Sequence, residues 1–297
     1  MKILILGKNG QVGWELQRAL APLGELIALD RSGLNELSGD VSKPESITET
    51  ILTLRPDVVV NASAYTAVDQ AESDQVLADI VNHLSVKAMA EACLSIDALL
   101  VHYSTDYVFS GQGSVAFKET DETDPINVYG QTKALGEQAI IASQCKHLIF
   151  RTSWVYASHG KNFLKTMLNL AKQRDTLSVI DDQIGSPTSA ALIADVTAHA
   201  VVQTRLDQTK TGLYHLVASG ETSWHGYAQY IFEQAKQEGI ELLIQQVNAI
   251  PTSQYPTPAK RPHNSKLNTQ KLQQAFQLNL PDWQQGVKRT LMELNNK

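Results

Sequence analysis

Short apolar runs alternate with longer amphipathic segments along most of the chain. Runs of about four to six apolar residues, bounded by polar residues or glycine, are typical of strands buried on both faces of a parallel sheet. They read KILILG, ELIALD, DVVVNAS, DALLVHYS, KHLIFRTS, LSVID and GLYHLVA. Between them, helical periodicity predicts helices over residues 11–22, 44–54, 73–95, 128–143, 162–173 and 190–203. This alternation predicts right-handed βαβ units, and therefore an α/β fold with a doubly wound parallel sheet.

The first predicted strand leads into a glycine loop. The stretch LGKNGQVG places Gly7, Gly10 and Gly13 in the spacing G-x-x-G-x-x-G, after a strand and at the start of a helix. Glycines in such a turn allow a tight bend, a close approach of backbone amides to a pyrophosphate, and close packing of the helix on the strand. The helix N-terminus adds N–H groups and the positive end of its dipole. We predict a Rossmann-type dinucleotide site here; a glycine-rich turn with only a structural role is the alternative.

The second predicted strand ends in the sequence ALDRSG. Asp30 lies about 20 residues beyond the glycine loop, where an acidic residue can hydrogen-bond the 2′-hydroxyl of an adenosine ribose. Arg31 follows directly, and an arginine there can accept a 2′-phosphate. The first residue favours NADH and the second NADPH, so we predict that both bind; an exposed ion pair in a turn is the alternative. Asp40 and Val41 are candidates for an adenine contact, with helix capping as the alternative.

The two parts of the chain differ in regularity. Strands and helices alternate regularly up to about residue 150, whereas the later part carries long irregular loops. One of these loops, PTSQYPTPAKRPHNSK, holds four of the ten prolines. Long loops in compact domains are often binding loops. We therefore predict a dinucleotide-binding Rossmann domain at residues 1–150 and a smaller, mainly substrate-binding domain at residues 151–297, with some of its strands returning to the sheet.

Composition and charge narrow the classes of partner. The chain has 297 residues and a formal net charge of −6, which disfavours nucleic-acid binding because phosphate contacts need clustered Lys and Arg. Its two cysteines, Cys93 and Cys145, have no metal-ligand or C-x-x-C spacing and are predicted to be buried thiols. No apolar run approaches the roughly 20 residues of a membrane span, and the N-terminal run is too short for a signal peptide. We expect a cytoplasmic protein with neither nucleic-acid nor membrane partners.

A second candidate site follows the fourth predicted strand. The strand in VHYSTDYVFSG ends in the hydroxyl residues Ser104 and Thr105, at the sheet edge where such folds bind ligands. Downstream, NVYGQTKALGEQAI sets Tyr129 and Lys133 four residues apart on one face of a predicted helix. A nearby ammonium stabilises a phenolate, so Lys133 is expected to lower the pKa of Tyr129 from its usual value of about 10. The pattern Y-x-x-x-K is common by chance, but its combination with the glycine loop and a hydroxyl at a strand end favours acid–base catalysis.

Several stretches together resemble the extended short-chain dehydrogenase/reductase family, and the resemblance covers the whole chain. They read GKNGQVGWEL, LRPDVVVNASAYTAVDQAE, HYSTDYVFSG, NVYGQTKALGE, FRTSWVY, DDQIGSPT, GLYHLVASGETSWHGYA and PTPAKRPHNSKLNT. Their combination is far more specific than any single motif. The resemblance implies an oxidoreductase that uses NADPH or NADH to reduce a keto group on a nucleotide-linked sugar.

The resemblance also implies roles for individual residues. The catalytic group would consist of Thr105, Tyr129 and Lys133. The residues at the cofactor would be Gly7, Gly10, Gln11, Val12, Asp30, Arg31, Asp40, Val41, Ala62, Ala64, Tyr65, Thr66, Tyr103, Tyr129 and Lys133.

The substrate side of the implied site draws on both parts of the chain. Thr105, Asp106, Tyr129 and Trp154 would meet the sugar, although an aromatic residue flanked by apolar neighbours is more often part of a core. Arg261, in the proline-rich loop, would hold the nucleotide diphosphate, because a guanidinium binds phosphate through two parallel hydrogen bonds. A solvated loop charge is the alternative interpretation of Arg261.

Two other functions stay open at this point. An epimerase or dehydratase of the same family acts on nucleotide sugars but recycles its bound cofactor, whereas a reductase consumes it. A non-catalytic regulatory subunit would bind the dinucleotide without turnover, which the presence of Thr105, Tyr129 and Lys133 disfavours.

The resemblance also bears on metal binding and assembly. Some family members form a homodimer bridged by a magnesium ion on acidic side chains. Glu15 and Glu293 match two of those positions, but Ala191 stands at the third. We therefore predict no metal, and leave a homodimer open.

Overall fold

Every apolar run of the sequence forms a strand in the computed structural model, which describes residues 1–295. The strands are β1 (Lys2–Leu6), β2 (Glu25–Leu29), β3 (Val58–Asn61), β4 (Leu99–Thr105), β5 (His147–Thr152), β6 (Val155–Tyr156), β7 (Thr176–Ile180), β8 (Ile184–Gly185), β9 (Thr188–Ser189), β10 (Gly212–His215), β11 (Thr222–Ser223) and β12 (Gln246–Ile250). The two-residue strands and β12 were not predicted, because short pairings outside the main sheet leave no apolar run in the sequence.

Each predicted helical range is helical in the structure, although one long segment is divided. The helices are α1 (Gln11–Leu20), α2 (Pro44–Leu54), α3 (Val68–Ala71), α4 (Gln75–Asp79), α5 (Ser85–Ser95), α6 (Val128–Ser143), α7 (Phe163–Ala171), α8 (Ala190–Leu206), α9 (Trp224–Gln237), α10 (Gln270–Phe276) and α11 (Trp283–Asn295). Of these, α3, α9, α10 and α11 lie outside the predicted ranges. The helix predicted over residues 73–95 consists of α4, a π-helical turn at Ile80–Leu84 and α5. A single periodicity count cannot detect a π-turn, because the turn adds one residue without changing composition.

Six strands form one parallel sheet in the order β10–β5–β4–β3–β1–β2. From β1 the chain moves to β2 on one side and then returns to place β3 on the other side. The strand order therefore reverses between β1 and β3, and ligands of such sheets bind beyond the carboxyl ends of the strands at that switch. This topology confirms the predicted Rossmann-type doubly wound α/β fold.

Helices cover both faces of the sheet, as strand alternation requires. Ile3 and Ile5 of β1 pack in one apolar cluster with side chains of α1 and α8. Leu4 and Leu6 point the other way and pack with side chains of α2 and α5. Strands buried on both faces are nearly continuous apolar runs for this reason.

A second apolar cluster lies outside the central sheet. It joins α7, α9 and α11 with β7, which pairs in parallel with β12 rather than with the central sheet. The prediction that the run LSVID is buried on both faces is wrong for this strand. Leu177 and Val179 are buried while Thr176 and Ser178 are exposed, so β7 has a single buried face.

Cys93 and Cys145 are both buried and unbridged, as predicted. Among the described residues, none of the helices combines the length and the apolar character needed to cross a bilayer.

Candidate active site

A cleft of about 470 Å³ lies beyond the carboxyl ends of the central strands. Thirteen of the fifteen residues predicted to contact a cofactor line this cleft, and only Asp30 and Asp40 of that set do not. The residues that line it are Gly7, Gly10, Gln11, Val12, Arg31, Val41, Ala62, Ala64, Tyr65, Thr66, Tyr103, Tyr129 and Lys133. The fold therefore gathers residues from the loops after β1 and β3, from β4, and from α1 and α6 around one cavity.

The glycine loop forms one end of the cleft with backbone alone. Gly7 has a φ of +90°, and a Cβ there would lie 2.6 Å from the Oγ of Ser63 and 2.9 Å from the carbonyl carbon of Ala62. A Cβ on Gly13 would lie 2.0 Å from the carbonyl oxygen of Gly7, so only glycine lets α1 approach the loop. Gly10 is extended and precedes the first residue of α1. Exposed amides at a helix N-terminus suit an anionic diphosphate.

The two ribose candidates lie at the open rim of this end. Asp30 accepts hydrogen bonds from Asn9 Nδ2 at 2.7 Å and from the backbone amide of Ser32 at 3.0 Å. Hydrogen bonding from Ser32 is the largest cause that lowers the pKa of the Asp30 carboxyl. The side chain of Arg31 is 78% exposed, and its Nε lies 3.6 Å from Asp40 Oδ1. Arg31 is thus free to turn toward a ligand, whereas Asp30 is held by its own loop.

The opposite end of the cleft is formed by side chains of β4 and α6. Thr105 ends β4, and Tyr129 lies in the first turn of α6. The Oδ1 of Asn127 caps α6 by accepting a hydrogen bond from the amide of Gly130 at 2.8 Å. A Cβ on Gly130 would lie 2.1 Å from the carbonyl oxygen of Tyr107, so this glycine lets α6 pack directly on the turn after β4. This close packing brings the hydroxyl of Thr105 beside the phenol of Tyr129.

The surroundings of Tyr129 change its acidity in the direction opposite to that expected. Loss of hydration raises the pKa of Tyr129 to about 12, the hydroxyl of Thr105 opposes that rise, and the charge of Asp106 adds to it. The expectation that Lys133 lowers this pKa is wrong for the protein without cofactor. The amine of Lys133 lies against β4, where it donates a hydrogen bond to the carbonyl oxygen of Tyr103 at 2.6 Å.

Lys133 has partners that the sequence did not indicate. Its Nζ lies 3.1 Å from Nε2 of His102, and Nδ1 of His102 lies 3.1 Å from Nδ2 of Asn61. Burial is the largest cause that lowers the pKa of Lys133 to about 8, while Glu137 acts in the opposite direction. The only feature of the sequence that could have indicated this contact was His102 within an apolar run. Such a histidine is equally typical of an ordinary interior side chain.

Two hydroxyl groups in the cleft wall support a polar ligand. Ser104 Oγ and Thr152 Oγ1 line the cleft, are at most 7% exposed, and have no hydrogen-bond partner within residues 1–295. Buried hydroxyl groups are nearly always hydrogen-bonded in native proteins. Together with the glycine cradle, they match the mixture of phosphate, ribose and amide groups of a nicotinamide dinucleotide.

Asp106 is a buried carboxyl group beside the catalytic candidates. Its Oδ1 accepts a hydrogen bond from Oγ1 of Thr105 at 3.0 Å. Its Oδ2 is buried without a partner in the part of the chain that the structure describes. Burial raises the pKa of Asp106 to about 6, and the nearby hydroxyl groups of Ser265 and Thr105 oppose that shift. The Oδ2 atom therefore has an unused capacity to accept a hydrogen bond.

Arg261 already has an anionic partner in this structure. Its Nη1 and Nη2 donate to Oδ1 and Oδ2 of Asp69 at 2.9 Å and 2.8 Å. The neighbouring Lys260 accepts a hydrogen bond from Nδ2 of Asn127 through its carbonyl oxygen, at 2.8 Å. The proline-rich loop is therefore attached to the start of α6, which brings Arg261 close to the catalytic end. Its contact with a diphosphate stays a prediction.

Trp154 lies outside the cofactor cleft and is half-buried. Its φ of +50° is a left-handed conformation, which is a genuine strain for a bulky residue. Its ring stacks on Trp224 with centroids 3.6 Å apart and planes 11° apart. A Cβ on Gly185 would lie 2.7 Å from Cε2 of Trp154, so this glycine makes room for the indole. Both the packing role and the sugar contact remain compatible with this position.

The acidic residues considered for a metal line a separate cleft of about 270 Å³, together with Ala191. Glu15 pairs with Arg18 at 3.4 Å, and Glu293 pairs with Arg289 at 3.2 Å. Within residues 1–295 there is no cluster of three His, Cys, Asp or Glu side chains suited to a metal ion.

A family model and proteins of known activity match this chain over nearly its whole length. Residues 1–296 match the model of a family described as the RmlD substrate binding domain. The dTDP-4-dehydrorhamnose reductase of Escherichia coli strain K12 is 58% identical over 294 residues, which cover 99% of this chain and 98% of that protein.

Solved structures of dTDP-4-dehydrorhamnose reductases are also similar to this chain, at lower sequence identity. A dTDP-4-dehydrorhamnose reductase from Clostridium acetobutylicum is similar with a TM-score of 0.89 and 35% identity, over 99% of both chains. The corresponding enzyme from Bacillus anthracis, solved in complex with NADP, has a TM-score of 0.87 and 34% identity, over 98% of this chain and 99% of that one.

Proposed function

The chain belongs to the family described as the RmlD substrate binding domain, and from that premise we propose that it is an NAD(P)H-dependent oxidoreductase. The reaction is reduction of the C4 keto group of dTDP-4-dehydro-L-rhamnose to give dTDP-L-rhamnose, the last step of dTDP-rhamnose biosynthesis. The observation that best supports this assignment is a single cleft with a glycine cradle at one end and Tyr129 and Lys133 at the other, with the hydroxyl of Thr105 beside Tyr129.

The residues that line the cleft are suited to bind NADPH or NADH. The glycine loop and the N-terminus of α1 would hold the diphosphate, Arg31 would meet the adenosine end, and Ser104 and Thr152 would meet polar groups of the cofactor. When bound, the cofactor supplies the hydride for the reduction. The protein contributes orientation, exclusion of water and a proton.

Tyr129 is the proton donor in this proposal. With a pKa of about 12, its phenol is fully protonated at neutral pH and is a weaker acid than free tyrosine. A newly formed alkoxide is far more basic than a phenolate, so the phenol can still deliver its proton to the sugar oxygen. Thr105 contacts the Asp106 carboxylate in the free protein, and we propose that its hydroxyl turns to the keto oxygen when substrate binds.

The remaining candidates would position the nucleotide sugar. The unpartnered oxygen of Asp106 suits a sugar hydroxyl, Trp154 offers an aromatic face, and Arg261 offers two parallel donors to the diphosphate. Binding of the diphosphate would compete with Asp69 for the guanidinium. These residue roles are proposals that substitutions test below.

The two alternative functions are not favoured. An epimerase or dehydratase, or a regulatory subunit that does not turn over, lacks a supporting observation here, whereas the relative that is 58% identical is a reductase. The expected cytoplasmic location, the absence of nucleic-acid partners and a homodimer stay predictions.

A spectrophotometric assay with the dTDP-linked keto-sugar tests the proposal. We expect loss of nicotinamide absorbance in proportion to the sugar added, measured separately with NADPH and NADH. Conversion of the sugar without net cofactor oxidation would identify an epimerase or dehydratase. No sugar conversion with either cofactor, from protein that binds both, would identify a non-catalytic dinucleotide-binding subunit.

A further inference from the structure

A line of buried hydrogen bonds runs from β3 through β4 to the catalytic lysine on α6. Asn61 Nδ2 lies 3.1 Å from His102 Nδ1, and His102 Nε2 lies 3.1 Å from Lys133 Nζ. Each of these three residues is only 1% exposed. Water cannot readily substitute for a partner at such depth, so each nitrogen needs the correct donor or acceptor opposite it.

The orientation of the Asn61 amide is determined by a backbone group. The amide N–H of Ser63 donates to Asn61 Oδ1 at 3.1 Å, so the NH₂ group of Asn61 faces the imidazole. An NH₂ group is only a donor, which makes His102 Nδ1 the acceptor and places the ring proton on Nε2. That Nε2–H points at Lys133 Nζ. An ammonium carries no lone pair, whereas an uncharged amine accepts this hydrogen bond and still donates one to the carbonyl oxygen of Tyr103.

We propose that Asn61 and His102 are positioning residues that keep Lys133 an uncharged amine in the cofactor-free protein at neutral pH. Binding of NADPH then brings a negatively charged diphosphate into the same cleft and favours the ammonium. Cofactor binding is consequently coupled to the uptake of a proton by Lys133. Only this coupling rests on the proposed function, since the tautomer of His102 is a property of the free protein.

The other groups around Lys133 are compatible with this assignment. On α6, Glu137 lies one helical turn away and favours the ammonium, but Arg151 of β5 binds both of its carboxylate oxygens, at 2.9 Å and 2.6 Å. Tyr129 lies one turn away on the other side and is protonated at neutral pH. On β4 the contacts of Lys133 are His102 and a backbone carbonyl. Burial lowers the pKa of Lys133 to about 8, which by itself leaves most of the amine protonated at pH 7, so the hydrogen bond from His102 has to supply the rest of the shift.

Histidine side-chain ¹⁵N NMR measures the tautomer directly. The resonances of His102 are identified by their loss in His102→Gln. We expect a protonated Nε2 and an unprotonated Nδ1 in the cofactor-free wild type at pH 7. A wild-type His102 that carries its proton on Nδ1 would overturn the proposal, whatever the variants do.

Asn61→Asp replaces the NH₂ group that faces His102 by a carboxylate oxygen of nearly the same size. A carboxylate still accepts from the amide of Ser63 but now also accepts from Nδ1, which moves the ring proton to that atom and stabilises the Lys133 ammonium. Asn82→Asp is the matched control, because it places a carboxylate at another buried asparagine, 1% exposed, whose side chain bonds to Tyr65 and Thr132. The tautomer should change in Asn61→Asp only; the same tautomer in both variants contradicts the role of Asn61.

Calorimetry with NADPH at pH 7, in two buffers of different ionisation enthalpy, measures the proton coupling. We expect wild-type protein to take up about one proton for each cofactor bound, and Asn61→Asp to take up close to none. Wild-type binding without proton uptake would overturn the coupling. Failure of NADPH to bind would instead count against the proposed function, and the NMR result would still decide the tautomer.

Discussion

The two ends of the cleft differ in the groups that form their surface and in their exposure to water. At the glycine end, backbone groups of Gly7 and Gly10 form the surface, and the charged candidate Arg31 is mostly exposed. At the catalytic end, side chains form the surface, and Lys133 and Asp106 are at least 97% buried. Water screens charges at the first end and is largely absent from the second. Substitutions at the buried end should therefore change rate, acidity and stability strongly, while those at the exposed end should adjust preference.

The largest effect is expected at Tyr129. Tyr129→Phe removes the proton donor but keeps the aromatic ring, which packs edge-on against Tyr107 with centroids 5.6 Å apart. General acid catalysis is typically worth about 10²–10⁴ in rate, so kcat should fall by that factor. Fluorescence titration should show unchanged NADPH affinity, which separates chemistry from binding. Normal turnover in this variant would remove Tyr129 from the mechanism.

Asp106→Asn should stabilise the protein in a pH-dependent manner. Burial raises the pKa of Asp106 from its ordinary 3.8 to about 6, so the wild type loses stability as pH rises through this interval. This pKa shift corresponds to a loss of at most about 3 kcal/mol in the free energy of unfolding. The variant carries no ionisable group there, and its advantage should grow between pH 4 and 6 and stay constant above. Urea denaturation at pH 4 and pH 8 measures this; an equal difference at both values would contradict it.

The same Asp106→Asn variant should lose activity if its carboxylate receives a sugar hydroxyl. A gain in stability with a loss of turnover is the usual pattern for a strained functional group. Unchanged kcat and KM would place Asp106 outside the substrate site while leaving the stability prediction intact.

Arg261→Ala should produce an intermediate effect, expressed in KM. A hydrogen-bonded charge is worth about 1.5–3 kcal/mol, which corresponds to roughly a 10–100-fold increase in KM for the nucleotide sugar. Arg261→Lys is the matched control, because it keeps the charge but loses the two parallel donors. Its KM for the nucleotide sugar should lie between those of the wild type and Arg261→Ala. Steady-state kinetics with varied sugar checks this. A KM unaffected by Arg261→Ala would assign the residue only to its pair with Asp69.

The smallest effect is expected at Arg31. Its side chain is 78% exposed, and exposed ion pairs are worth about 0.2–1 kcal/mol. Arg31→Ala should therefore lower the ratio of kcat/KM for NADPH over NADH by roughly 1.4–5-fold. Measuring both cofactors in both proteins checks the ratio; an equal loss for NADPH and NADH would mean that Arg31 does not read the 2′-phosphate.

The difference between the two ends of the cleft also explains which features could be predicted from the sequence. The glycine loop is local: strand, turn and helix follow one another within residues 2–20, so spacing alone identifies them. The central strands are equally readable, because burial on both faces demands continuous apolar runs. Tyr129 and Lys133 share a helix, and their presence in one cleft follows from helical spacing.

What the sequence could not provide are contacts between distant segments. Arg261 and Asp69 are 192 residues apart and lie outside the predicted elements, so no periodicity links them. The partner of Lys133 is a histidine 31 residues earlier, on a strand that begins as an apolar run. The expected effect of Lys133 on Tyr129 was wrong because a sequence shows that two groups are neighbours, but does not show how much water surrounds them.

Strand β5 and its outer neighbour β10 lie far apart along the chain. Strand β5 ends at Thr152, but its outer neighbour β10 is not complete until His215, 63 residues later. At about 5–20 residues per second, a ribosome needs roughly 3–13 s to supply that segment. During this interval β5 presents an unpaired apolar edge, which is a template for aggregation. The nascent chain is therefore most vulnerable while residues 153–215 are being synthesised, and a chaperone would have its clearest target there.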